Sequence, residues 1–87
     1  MDAIRLQIVT AEGTVLERAV EYVNLPTAFG SVGILSNHAP MLCAVEEGIL
    51  RCRSGEGILR LRIGRGIASV ENNEVNVLVA FGAILED

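Results

Sequence analysis

Aliphatic residues recur at every second position through most of this chain, and turn-forming residues interrupt each run before it reaches helical length. Ile4, Leu6 and Ile8 alternate with Arg5, Gln7 and Val9. A period of two puts one set on a single face of an extended strand, whereas a helix needs apolar residues three and four apart. Punctuation supports the same reading. Ala11-Glu12-Gly13 is a turn, Ser54-Gly55-Glu56-Gly57 marks a hairpin, and Asn72-Asn73 tolerates the positive φ of a tight turn.

Further strands are expected at Val32–Leu35, Met41–Val45, Ile49–Arg53, Ile58–Ile63, Ile67–Glu71, Glu74–Val79 and Phe81–Leu85. Val15 and Leu16 begin a strand that runs through Val20 and Val23 to Leu25. Its alternation slips near Glu21, which predicts a bulge there. Pro26, lacking a ladder donor, ends it. About eight to ten short strands with turn signals every 8–12 residues make an all-β chain, a small β-sandwich. No linker, repeat or low-complexity segment divides the 87 residues, so one domain is expected.

Composition narrows the function. Hydrophobic residues make up 51% of the chain and aromatic residues 3%, so the core is aliphatic. The net charge of −4 argues against nucleic acid as a partner. The longest apolar run, Val77 to Leu85, falls short of the roughly 20 residues of a membrane helix. The N-terminus shows no secretory signal. Contact with a membrane is expected only through a protein partner.

Nothing in the chain forms a catalytic, cofactor or metal motif. Cys43 and Cys52 form no C-x-x-C pair and are expected to be reduced, buried thiols. His38 is the single histidine, in an Asn-His-Ala-Pro turn. It reads as a hydrogen-bonded turn residue, because a catalytic histidine needs an orienting carboxylate and a nucleophile beside it. Gly30 and Gly33 lack the lysine and helix start of a phosphate loop, so they are expected to serve positive φ or close backbone approach. Glu46 and Glu47 are adjacent, point to opposite faces and form no carboxylate dyad.

All seven basic residues are arginine, and Arg51, Arg53, Arg60, Arg62 and Arg65 lie within one short window. If the hairpin pairs as its turn suggests, Arg51, Arg53, Arg60 and Arg62 share one outer face, with Leu50, Cys52, Leu59 and Leu61 inward. Like charges opposite one another are unfavourable unless an acid intervenes, and Glu56 at the turn is one such acid. The face is read either as solvated or as a basic surface for an acidic partner.

Residues 25–42, LPTAFGSVGILSNHAPML, carry a resemblance. They resemble the sandwich signature of the epsilon subunit of F-type ATP synthases, approximately L-P-G-x-x-G-x-x-G-I-L-P-G-H-A-P-L-L. Leu25, Pro26, Gly30, Gly33, Ile34, Leu35, His38, Ala39, Pro40 and Leu42 match; Thr27, Ser36, Asn37 and Met41 depart. Gly48-Ile49, Gly64 to Val70 and Asn73 to Leu78 also resemble family segments, so the likeness covers nearly the whole chain. It implies that residues 1–87 are an epsilon-type β-sandwich domain, without the C-terminal helical hairpin that family members usually add.

The resemblance further implies a non-catalytic rotor subunit of the central stalk. Such a subunit links the gamma shaft to the polar loops of the membrane c-ring and couples ion flow to ATP synthesis or hydrolysis. It implies a peripheral membrane position on the cytoplasmic side of a bacterial inner or plasma membrane, with no cofactor. Ser31 and Val32 are the candidates for the ring contact, Ser31 standing where the family often has an acid. His38, Ala39 and Pro40 are the candidates for the shaft side. Without the hairpin, which acts as a movable inhibitory arm and carries most nucleotide contacts, the chain is expected to couple without inhibiting and not to bind ATP. The alternatives are an unrelated sandwich that binds a peptide or sugar, which few aromatics support, and a Cys43–His38 hydrolase.

Overall fold

A computed structural model describes residues 3–55 and 57–85. Glu56, and with it the expected charge relief at the turn, lies outside the described residues. Ten strands follow one another: β1 (Ile4–Thr10), β2 (Gly13–Val20), β3 (Tyr22–Thr27), β4 (Gly30–Leu35), β5 (Met41–Val45), β6 (Gly48–Ser54), β7 (Gly57–Ile63), β8 (Gly66–Glu71), β9 (Glu74–Val79) and β10 (Gly82–Ile84). They form two five-stranded sheets, ordered β2-β1-β9-β8-β5 and β10-β7-β6-β3-β4. Every pairing is antiparallel except β1 with β9, which run parallel.

The alternation does what a period of two requires. In β9 the pattern is strict, with Val75, Val77 and Val79 buried and Glu74, Asn76 and Leu78 facing out. Ile4, Leu6 and Ile8 of β1 point the same way as these valines and meet Val23 and Leu25 of β3, Leu50 of β6 and Leu61 and Ile63 of β7 in one cluster. Each such side chain stabilises the fold by about 1.5–3 kcal/mol when fully buried. No polar or charged side chain is buried among the described residues.

Two expectations need correction. Glu21 is not a bulge in one long strand. It is the bend where the chain leaves the first sheet as β2 and enters the second as β3, and its N–H donates to the Arg53 carbonyl oxygen at 2.6 Å. The slip in alternation arises because Val20 and Val23 face one core from opposite sheets. The bulge lies instead where Ile8 pairs with Leu16 and Val9 with Thr14, leaving Val15 as the extra residue. Pro26 does not end its strand either: it pairs with Ser31 in the β3–β4 ladder, and Glu46 N–H donates to its carbonyl at 3.0 Å.

Gly66 is fixed by close approach. A Cβ there would lie 1.9 Å from the Leu78 carbonyl oxygen and 2.8 Å from the Val79 Cα. Backbone, not a flexible side chain, would have to move. Gly66→Ala is therefore expected to lower stability by about 3 kcal/mol. Gly33→Ala, where an added Cβ meets nothing within 4 Å, is expected to stay within about 0.5 kcal/mol of the parent. Urea midpoints of the two variants measure the contrast.

Candidate functional site

The candidate partner residues occupy two separate ends of the sandwich. At one end β3 turns into β4 through Ala28 and Phe29, and Thr27 closes the turn with its own side chain. Its hydroxyl donates to the Gly30 carbonyl at 2.6 Å and accepts from the Phe29 N–H at 3.2 Å. Gly30 sits at φ 101, a conformation that favours glycine. Gly33 does not follow that expectation: its φ is ordinary and its surroundings are open. Ser31 is exposed, while Val32 is half-buried and packs against the core.

At the other end, about 17 Å away along β4, Ser36 to Pro40 link β4 to β5 across the tip of the β8–β9 hairpin. Asn73 holds this end together. Its side-chain oxygen accepts from the Asn37 N–H at 2.6 Å, and its backbone carbonyl accepts from the Arg5 N–H at 2.8 Å. Asn37, Asn72 and Asn73 all adopt positive φ, at 64, 54 and 61. Asparagine tolerates that region better than most residues. The Asn72-Asn73 dipeptide was legible as a turn, but the grip of Asn73 on the neighbouring loop was not.

His38 is half-buried in that loop, with Ala39 and Pro40 exposed beside it. Its Nδ1 lies 2.7 Å from the Ala39 carbonyl oxygen. A carbonyl only accepts, so Nδ1–H donates. Cys43 is not brought to His38: it points inward from the middle of β5, opposite Ala68, and no hydrogen bond joins the two among the described residues. Burial raises the pKa of the Cys43 thiol, the opposite of an activated nucleophile. Both cysteines are free; Cys52 is buried as expected, and Cys43 only half-buried. No group of three or more His, Cys, Asp or Glu that could hold a metal occurs among the described residues.

Sequence reasoning missed an apolar strip that runs from the β3–β4 turn, at Phe29, onto the outer face of the first sheet. Phe29 is 99% exposed, Leu42 70%, Leu78 54% and Ile67 45%. Two shallow grooves share Leu42. One is lined by Phe29, Val32 and Ala44, the other by Val9, Ile67 and Leu78. The strip was hidden because an outward Leu78 inside the run Val77–Val79 reads as one more core residue.

The comparisons with known proteins bear on this geometry. Residues 3–82 match the family described as ATP synthase, Delta/Epsilon chain, beta-sandwich domain. The chain belongs to that family. It is 42% identical over 76 residues to the ATP synthase epsilon chain of Prochloron didemni, which covers 87% of this chain and 56% of the relative. It is 38% identical over 76 residues to the chloroplastic epsilon chain of Cyanidioschyzon merolae, covering 87% of this chain and 58% of the relative. The chain thus spans a little over half the length of these curated relatives. The fold is shared with a chain of the Euglena gracilis mitochondrial ATP synthase, OSCP/F1/c-ring, at a TM-score of 0.88 and 21% identity, over 94% of this chain and 53% of that one.

Two outcomes test the geometry. Asn73→Ala removes a hydrogen bond and places an ordinary residue at positive φ, so it is expected to cost about 2 kcal/mol. Asn73→Gly keeps the backbone relaxed and is expected to lose about half as much; equilibrium denaturation reads both. For Cys52, burial raises the thiol pKa above its ordinary 9.0, offset in part by Arg18. The folded state then holds the proton more tightly than the unfolded one. Stability from this group is intact below 9.0 and falls as pH rises above it. Denaturation series across alkaline pH are expected to show that decline, and Cys52→Val to reduce it.

Proposed function

We propose that this domain is a non-catalytic part of a rotary ATP synthase's central stalk, joining a gamma-type shaft subunit to the c-ring. The observation that carries the reading is the exposed apolar strip from Phe29 through Leu42 to Ile67 and Leu78. A small domain that leaves such a strip in water reads as one that a partner covers. The family assignment gives the partner class, and the Euglena relative belongs to an assembly that includes a c-ring.

In this reading His38, Ala39 and Pro40, with Leu42, Ile67 and Leu78 of the strip, face the shaft. Ser31 and Val32, with Phe29 at the same tip, face the polar loops of the ring. Torque passes through fixed contacts: the two ends belong to one hydrogen-bonded body, so a load on one is carried to the other without any chemistry in this chain. The domain is then peripheral to the membrane, held there through protein partners, on the cytoplasmic side in a bacterial cell.

The reading is tested by mixing the protein with the gamma subunit of its own enzyme. A one-to-one complex is expected on size exclusion. Leu42→Glu with Leu78→Glu, both outward positions, are expected to leave the fold intact and abolish the shared peak. In the assembled enzyme, removing the protein is expected to uncouple ATP hydrolysis from ion pumping, and adding these residues back to restore coupling without suppressing hydrolysis by the detached catalytic head. Separate elution of the unmutated pair would refute the assignment.

A further inference from the structure

The outer face of the second sheet carries a feature that neither end of the sandwich explains. β6 pairs with β7 so that Arg51 stands directly opposite Arg60, Arg53 opposite Ile58 and Ile49 opposite Arg62. Their neighbours Leu50, Cys52 and Leu61 are buried, so all four arginines share the solvent side. β3 extends the face: Tyr22 is opposite Arg53 and Asn24 opposite Arg51.

Like charges directly across a ladder are unfavourable. Local acids relieve part of this. Glu47 reaches Arg62 at 4.0 Å, an exposed pair of little strength, and Arg60 is not without a partner. Arg51 and Arg53 are exposed and form no ion pair among the described residues. They stand about 7 Å apart along one strand. Guanidinium groups at that spacing match carboxylates two apart on an extended segment, or one turn apart on a helix.

We propose that the Arg51–Arg53–Arg62 face is a second docking surface, for an acidic polypeptide segment. The charge contrast carries this: a chain of net charge −4 concentrates its arginines on one hairpin. Apolar groups lie among them, with Tyr22 beside Arg53, Ile58 51% exposed and Leu35 65% exposed. An acidic segment with interspersed apolar residues complements that mixture. The patch is also bounded. Glu47 stands at the Arg62 end, and Glu21 follows β2 at the Arg53 end, its N–H on the Arg53 carbonyl. A short segment fits beside the Glu47 carboxylate, whereas an extended polyanion or an anionic membrane would meet it. The proposal does not rest on the rotor reading, because the face lies on the sheet opposite Leu42, Ile67 and Leu78.

The test uses a fluorescein-labelled hexapeptide of alternating glutamate and leucine and fluorescence anisotropy. Binding is expected at ~20 mM salt and is expected to weaken at least ~10-fold by ~200 mM. Arg51→Glu with Arg53→Glu is expected to lower affinity at least ~10-fold, and Arg51→Gln with Arg53→Gln by a smaller factor, with unchanged circular dichroism. Arg5→Gln, on β1 of the other sheet, is expected to change affinity less than ~2-fold. No binding by the parent protein at low salt overturns the proposal. So does binding that survives both double substitutions. Tighter capture by phosphatidylglycerol vesicles or single-stranded DNA, lost in the same variants, overturns it in favour of a lipid or nucleic-acid surface.

Discussion

The meeting of two aliphatic sheet faces is the constraint on which the rest of the molecule depends. Because the core holds no buried polar or charged side chain among the described residues, no polar side-chain contact within the core fixes how the sheets face one another. Shape and alternation do that work. A one-residue slip in any inner strand would send its valines and isoleucines to solvent and its charged residues inward. The strict pattern of β9 is therefore a register lock, and both candidate surfaces inherit their positions from it. Leu78 faces out because Val77 and Val79 must face in. Arg51 and Arg53 are outward for the same reason, with Leu50 and Cys52 committed to the core.

This explains how much of the fold could be read from the chain. A period of two is local, so the strands, their inward faces and the hairpin turns at Ser54–Gly57 and Asn72–Asn73 were legible. Sheet membership is not local. Nothing in the residues around Glu21 distinguishes a bulge from a crossing between sheets, because both interrupt the alternation in the same way. The parallel pairing of β1 with β9 had no local signal at all. Pro26 misled because a missing donor matters only where a ladder requires one.

The candidate surfaces divide along the same line. Ser31, Val32 and the His38 loop were found through a motif whose punctuation is specific, and Arg51, Arg53, Arg60 and Arg62 through strand parity. The apolar strip was not found, since Phe29, Leu42, Ile67 and Leu78 come from different elements and converge only after folding. Outward leucines also resemble core leucines in composition. The role of Asn73 was missed for a similar reason: its partners, Asn37 and Arg5, are distant in sequence.

The parallel pair has a consequence for how the domain comes into being. β1 lies between β2 and β9, and its hydrogen bonds to β9 join segments far apart in sequence, Arg5 pairing with Glu74. The first sheet cannot be assembled until the ninth strand exists. During synthesis β1 and β2 can form a hairpin early, but that ribbon keeps an open edge and an uncovered apolar face. Pairings this far apart in sequence form slowly, because loop closure precedes any reward from contact. A nascent chain therefore holds a sticky half-sheet until Glu74 to Val79 have been made, and truncation before Glu74 leaves a fragment prone to self-association.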